Sequence, residues 1–107
     1  MSDLIKRVTQ HTGKQAEKFY KTTLFQSGAL LLGLNCLEPG QVQQPHDHAD
    51  QDKFYYVVEG EGQFWLGEEM QSAASGDVVW APAGVIHGVR NEGGERLTLL
   101  VGIAPAP

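Results

Sequence analysis

At 107 residues, with 41% hydrophobic and 20% charged content, the chain has apolar material for one core and too little length for two. Its net charge of −5, with no lysine or arginine run, argues against nucleic acid and anionic membrane surfaces, which both need a positive footprint. The 13 glycines and 5 prolines are scattered as punctuation, the pattern of many short strands and turns rather than of a helical bundle.

Met1 to Arg7 lacks a charged start followed by an apolar stretch, so no secretory leader is expected. Leu4, Ile5 and Val8 fit either a short strand or one helical turn, and Thr9 to Lys14 reads as an exposed loop that leaves His11 solvated. Two strands are predicted over Phe19 to Phe25 and Ala29 to Leu37. The second is apolar on both faces, as a strand covered on both sides should be. The longest apolar run, Ala29 to Leu32, is too short to span a bilayer. Cys36 stands alone, which rules out an internal disulfide and suggests a reducing, cytoplasmic setting. Its residue type predicts a small buried hydrophobe.

Glu38-Pro39-Gly40 is a turn, and Val42 to His48 is the next strand. Within it His46 and His48 are two residues apart, so an extended backbone sends both imidazoles to one face. Neutral imidazole is the commonest protein ligand for a transition metal. Phe54 to Val58 carries the aromatic and β-branched residues of a buried strand. Further strands are predicted over Gln63 to Leu66, Met70 to Ala74, Val78 to Trp80, Ile86 to Arg90 and Leu97 to Ile103. Ala104 to Pro107 is expected to fray. Short strands with turn signals every 8–12 residues indicate an all-β sandwich or barrel, and residues 1–107 read as one domain.

Two segments carry a resemblance. In the first, over about 40–60, Gly40 is followed after five residues by His46, then by His48, and the segment ends at Gly60. In the second, over about 76–91, Gly76 is followed after five residues by Pro82, then Gly84, His87 and Asn91. This arrangement resembles the two motifs of the cupin superfamily and covers about half the chain. The resemblance implies an all-β, double-stranded β-helix (jelly-roll, RmlC-like) barrel. It further implies one divalent metal held by His46, His48 and His87 together with a glutamate of the first motif.

At the glutamate's position, counted back from Gly60, the chain has Lys53. An ammonium about 4 Å from a divalent ion, at an effective dielectric of about 20, would be repelled by roughly 8 kcal/mol. Three arrangements answer this. Lys53 can turn toward the barrel mouth, leaving three histidines with open positions, as in catalytic zinc and some non-haem iron sites. Gln51 can supply a fourth ligand if the strand starts early, or Asp52 if the register slips by one. Alternatively the site holds no metal, and Lys53 and the histidines bind an anion. Tyr55 is the expected pocket-wall residue of the same strand.

Histidine ligands suit iron, zinc, nickel and copper, and manganese only slightly less. The resulting expectation is a metal-dependent oxygenase, isomerase or lyase acting on a small molecule. The alternative is a non-catalytic module binding a carboxylate or sugar acid. Members of this size often pair through edge strands, and an apolar edge needs covering, so a homodimer is expected.

Overall fold

A computed structural model of the chain describes residues 4–107. Met1, Ser2 and Asp3, on which part of the leader reading rests, lie outside the described residues. Among the described residues, nine strands follow a single turn of 3-10 helix at Val8–Gln10. They are β1 (Tyr20–Gln26), β2 (Leu31–Leu37), β3 (Val42–His46), β4 (Asp52–Glu59), β5 (Glu61–Leu66), β6 (Glu69–Ala74), β7 (Val78–Ala81), β8 (His87–Arg90) and β9 (Leu97–Ala104). Two antiparallel sheets form, one ordered β1-β2-β9-β4-β7 and the other β3-β8-β5-β6. This is the double-stranded β-helix.

Strand parity decides what lies inside. Lys53, Tyr55 and Val57 of β4 pair with Ile103, Val101 and Leu99 of β9, and the last two of these face Gly33 and Asn35 of β2. The inward rows of both sheets meet in a core that includes Leu37, Tyr55, Val57, Phe64, Val89, Leu97 and Leu99. Burying one such side chain is worth about 1.5–3 kcal/mol, so this row supplies much of the stability.

The outer face of the five-stranded sheet is treated differently along its width. Near β1 and β2, Leu34 and Cys36 are fully buried, in keeping with the doubly apolar pattern of β2. The N-terminal segment is strapped along this side. The Lys6 ammonium donates to the Leu24 carbonyl at 2.7 Å and lies 4.8 Å over the Phe25 ring. The Gln41 amide donates to the carbonyls of Gln15 and Lys18. At the other edge, Val78 (66% exposed) and Trp80 (56%) of β7 face outward uncovered.

Three expectations are corrected. Leu30 precedes β2 and is exposed. His11, expected in solvent, is half-buried. The C-terminal residues are tied down rather than frayed. The Ala106 N–H donates to the Gly28 carbonyl at 3.3 Å, and the Gln51 amide donates to the Pro105 carbonyl at 3.1 Å.

Candidate metal centre

The three histidines arrive from two sequence segments that the fold presses together. His46 ends β3 and pairs directly with His87, the first residue of β8. Between Gln43 and His46 the pairing is interrupted by a bulge containing Gln44 and Pro45. Gly88 permits that bulge. A side chain there would meet the Gln43 carbonyl oxygen at 2.7 Å and the Pro45 backbone at 2.9 Å, so only a bare α-carbon lets β3 come this close. His48 lies just past β3 and is pinned through its carbonyl, which accepts the Gly84 N–H at 3.0 Å. Gly84 has φ +82°, a left-handed conformation that closes the Pro82-Ala83-Gly84 turn, and the Val85 N–H donates back to Pro82.

The imidazole centroids are 4.9 Å apart for His46 and His48, 4.5 Å for His46 and His87, and 5.7 Å for His48 and His87. Their ligand nitrogens all lie within 4.8 Å of one another. The backbone sets two of the rings. His46 Nδ1 donates to the Gln44 carbonyl at 2.8 Å and His87 Nδ1 to the Val85 carbonyl at 2.9 Å. Because a carbonyl only accepts, each Nδ1 carries the proton and each Nε2 is free to present a lone pair. His87 is 1% exposed, and its Nε2 is buried with no hydrogen-bond partner. A buried unpaired ring nitrogen is costly to leave unsatisfied. An ion held by the three imidazoles would satisfy that nitrogen, and neutral imidazoles are ligands that transition metals take. The donor set therefore fits a transition metal.

The electrostatics favour the neutral form of two of these rings, His87 and His48. Burial pushes the His87 pKa down to about 4, against a smaller upward pull from its bond to Val85, and nearby Lys53 adds to the lowering. Burial also lowers His48, helped by His46 and Lys53 and opposed by Asp47. A neutral imidazole is the form a metal needs.

Lys53 does not turn toward the mouth. It is 4% exposed, and its ammonium lies 4.7 Å over the Tyr55 ring. It lines the same cavity as His46 and His48, a space of about 540 Å³ whose walls also include Lys21, Gln43, Leu31, Val101 and Ile103. Burial, with Lys21 adding to it, lowers the Lys53 pKa to about 8. The register does not slip, so Asp52 faces outward, where its carboxylate accepts the Ala83 N–H at 2.9 Å. Gln51 precedes β4, and its amide nitrogen is engaged with Pro105 on the tail. Tyr55 lies beneath the cavity rather than in its wall. It is fully buried, with its ring 5.2 Å from Phe64 and 6.3 Å from His87, and burial raises its pKa. Its hydroxyl donates to the Gln43 amide oxygen, so it acts on the wall through Gln43.

Sequence reasoning missed Gln43, Lys21 and Asn35 as cavity residues. Simple alternation puts Gln44, not Gln43, on the face of His46, and only the bulge reverses this. Asn91, the last position of the second motif, is a structural tie. Its amide donates to the carbonyls of Leu37 and Glu95, and its own carbonyl accepts the Gly40 N–H at 2.8 Å. It thereby joins the start of one motif to the end of the other.

Comparison with known proteins agrees with this fold. A family model described as "Cupin domain" matches residues 33–103. An uncharacterized protein of Streptomyces coelicolor is 38% identical over 74 residues, covering 69% of each chain. Among solved structures, TT1209 of Thermus thermophilus superposes with a TM-score of 0.93 at 44% identity, over 96% of this chain and 98% of that one. A conserved double-stranded β-helix protein of Klebsiella pneumoniae gives 0.90 at 21% identity, over 95% and 90%, and at that identity speaks for the fold alone.

Proposed function

The chain belongs to the cupin family, and from that premise we propose that it binds one divalent transition metal through His46, His48 and His87 and uses it on a small molecule. The observation that carries this reading is the convergence of the three imidazoles, with His87 Nε2 buried and unpartnered among them. A metal bound there would supply Lewis acidity, or redox capacity if it is iron or copper, to a coordinated oxygen. The chain's own residues do the rest. Gln44 and Val85 hold two imidazoles in the ligating tautomer, and Leu31, Val101 and Ile103 exclude water along one wall. Gln43, held by Tyr55, offers an amide for orienting a polar group. An oxygenase, isomerase or lyase reaction is consistent with this set, and the fold itself selects none of them.

The rest of the reading is a single domain over 1–107 that works in the cytoplasm as a homodimer. The exposed Val78 and Trp80 on edge strand β7 support pairing. Elemental analysis of protein purified without added metal or a histidine tag tests the central claim, together with titration of iron, zinc, nickel, copper and manganese. About one ion per chain is expected, lost in His48→Ala while the barrel stays folded. No uptake of any of the five would sink the metal reading. A second reading, a non-catalytic module for a carboxylate or sugar acid, is favoured by the buried ammonium of Lys53 in the cavity. It predicts carboxylate binding by the metal-free chain.

A further inference from the structure

The cavity's charge is opposite to that of the chain. The protein carries −5 overall, yet the cavity is lined by Lys21, Lys53, His46 and His48, with no aspartate or glutamate among its described residues. The ion pairs among the described residues are Arg90–Glu92 and Arg96–Glu38, so neither lysine has an anionic partner there. Lys53 is the sharper case. It is 4% exposed at the family's carboxylate position, its ammonium lies over the Tyr55 ring face, and it lines one cavity with His46 and His48. A buried ammonium without an anion is costly. A cation beside three metal ligands also opposes a second cation there. One occupant relieves both penalties, namely a small organic acid whose carboxylate sits between the ammonium and the ion. The apolar wall of Leu31, Val101 and Ile103 suits a short carbon body, and the side-chain amides of Asn35 and Gln43 line the same space.

We propose that Lys53, assisted by Lys21 at the rim, makes this an anion-dependent metal site, in which a small carboxylate and the divalent ion each tighten the other's binding. The proposal rests on the three-histidine metal reading and adds the substrate class and the coupling. The coupling must be reciprocal, because two ligands of one protein change each other's affinity by the same factor.

Calorimetric titration of the full chain with Ni²⁺, with and without succinate, tests it. Succinate is a suitable probe because it chelates nickel weakly in solution. We expect the Ni²⁺ Kd to fall at least about tenfold in saturating succinate, and the succinate Kd to fall by the same factor with Ni²⁺. Lys53→Met should bind Ni²⁺ more tightly than the native chain when succinate is absent, and should ignore succinate. Lys21→Ala, an exposed position that folding tolerates, should lose part of the coupling. An unchanged Ni²⁺ Kd in succinate, or full coupling in Lys53→Met, overturns the proposal while leaving the metal site standing. Failure of every variant and the native chain to take up Ni²⁺, with or without succinate, overturns the coupling, and the same failure with iron, zinc, copper and manganese overturns the metal reading with it.

Discussion

The two ends of the barrel interior are built by the same strands and do opposite things. At the packed end the inward rows read Val57 on β4, Leu97 and Leu99 on β9, Leu37 on β2, Val89 on β8 and Phe64 on β5, all essentially without exposure. Two to four residues further along the same strands, with the same parity, they read Lys53, Ile103, Gly33 and His87. The backbone does not distinguish the ends. Side-chain chemistry does: Gly33 carries no side chain, its Cβ position lying 2.7 Å from the Thr22 carbonyl oxygen, and Lys53 and His87 turn titratable groups inward. A site arises here by interrupting a core, and the apolar end must carry the stability that the polar end gives up.

That division can be broken at either end. Phe64→Ala, at the packed end, should cost about 3–5 kcal/mol in urea denaturation, while the folded fraction keeps its metal affinity. Loss of metal binding without loss of stability would refute the division. His87→Ala, at the open end, should weaken Ni²⁺ binding by at least about 100-fold, more than is usual for changes to groups that merely hydrogen-bond a ligand.

Proton linkage sharpens the contrast. Lys53 titrates at about 8 when folded and near 10.5 when unfolded, so the unfolded chain holds its proton more tightly between those values. Stability should therefore rise with pH from about 8 to about 10.5, by of order 1–3 kcal/mol, and Lys53→Met should remove that rise. His87 works at acid pH. With a folded pKa near 4 against 6.5, it contributes stability above about 6.5 that is lost as pH falls toward 4. The acid slope of the denaturation midpoint should flatten in His87→Gln; an unaltered slope would assign the acid sensitivity to other groups. The smallest effect belongs to Gln51→Ala, which removes one hydrogen bond to the tail. It should cost about 0.5–1.5 kcal/mol and leave metal affinity unchanged. A drop in metal affinity would instead place Gln51 among the ligands.

Spacing alone carried much of this protein. Period-two alternation and turn residues were sufficient to place most of the strands, because extended backbone has fixed parity and turns demand particular residues. The barrel type and the grouping of the three histidines were implied by the resemblance that the glycine and histidine offsets of the two motifs carry. The same offsets exposed Lys53 as the anomaly, but not which way it faces. That depended on the β4 register against β7 and β9, a long-range property, which turns Lys53 inward and Asp52 out. Gln43 entered the cavity only through the bulge that Gly88 allows, and Tyr55 sank beneath it because Phe64 and His87 close over its ring. Local chemistry thus decided which residues were available to the site. Packing between strands distant in sequence decided which of them face one another, because only the closed barrel brings their rows into a single enclosed space.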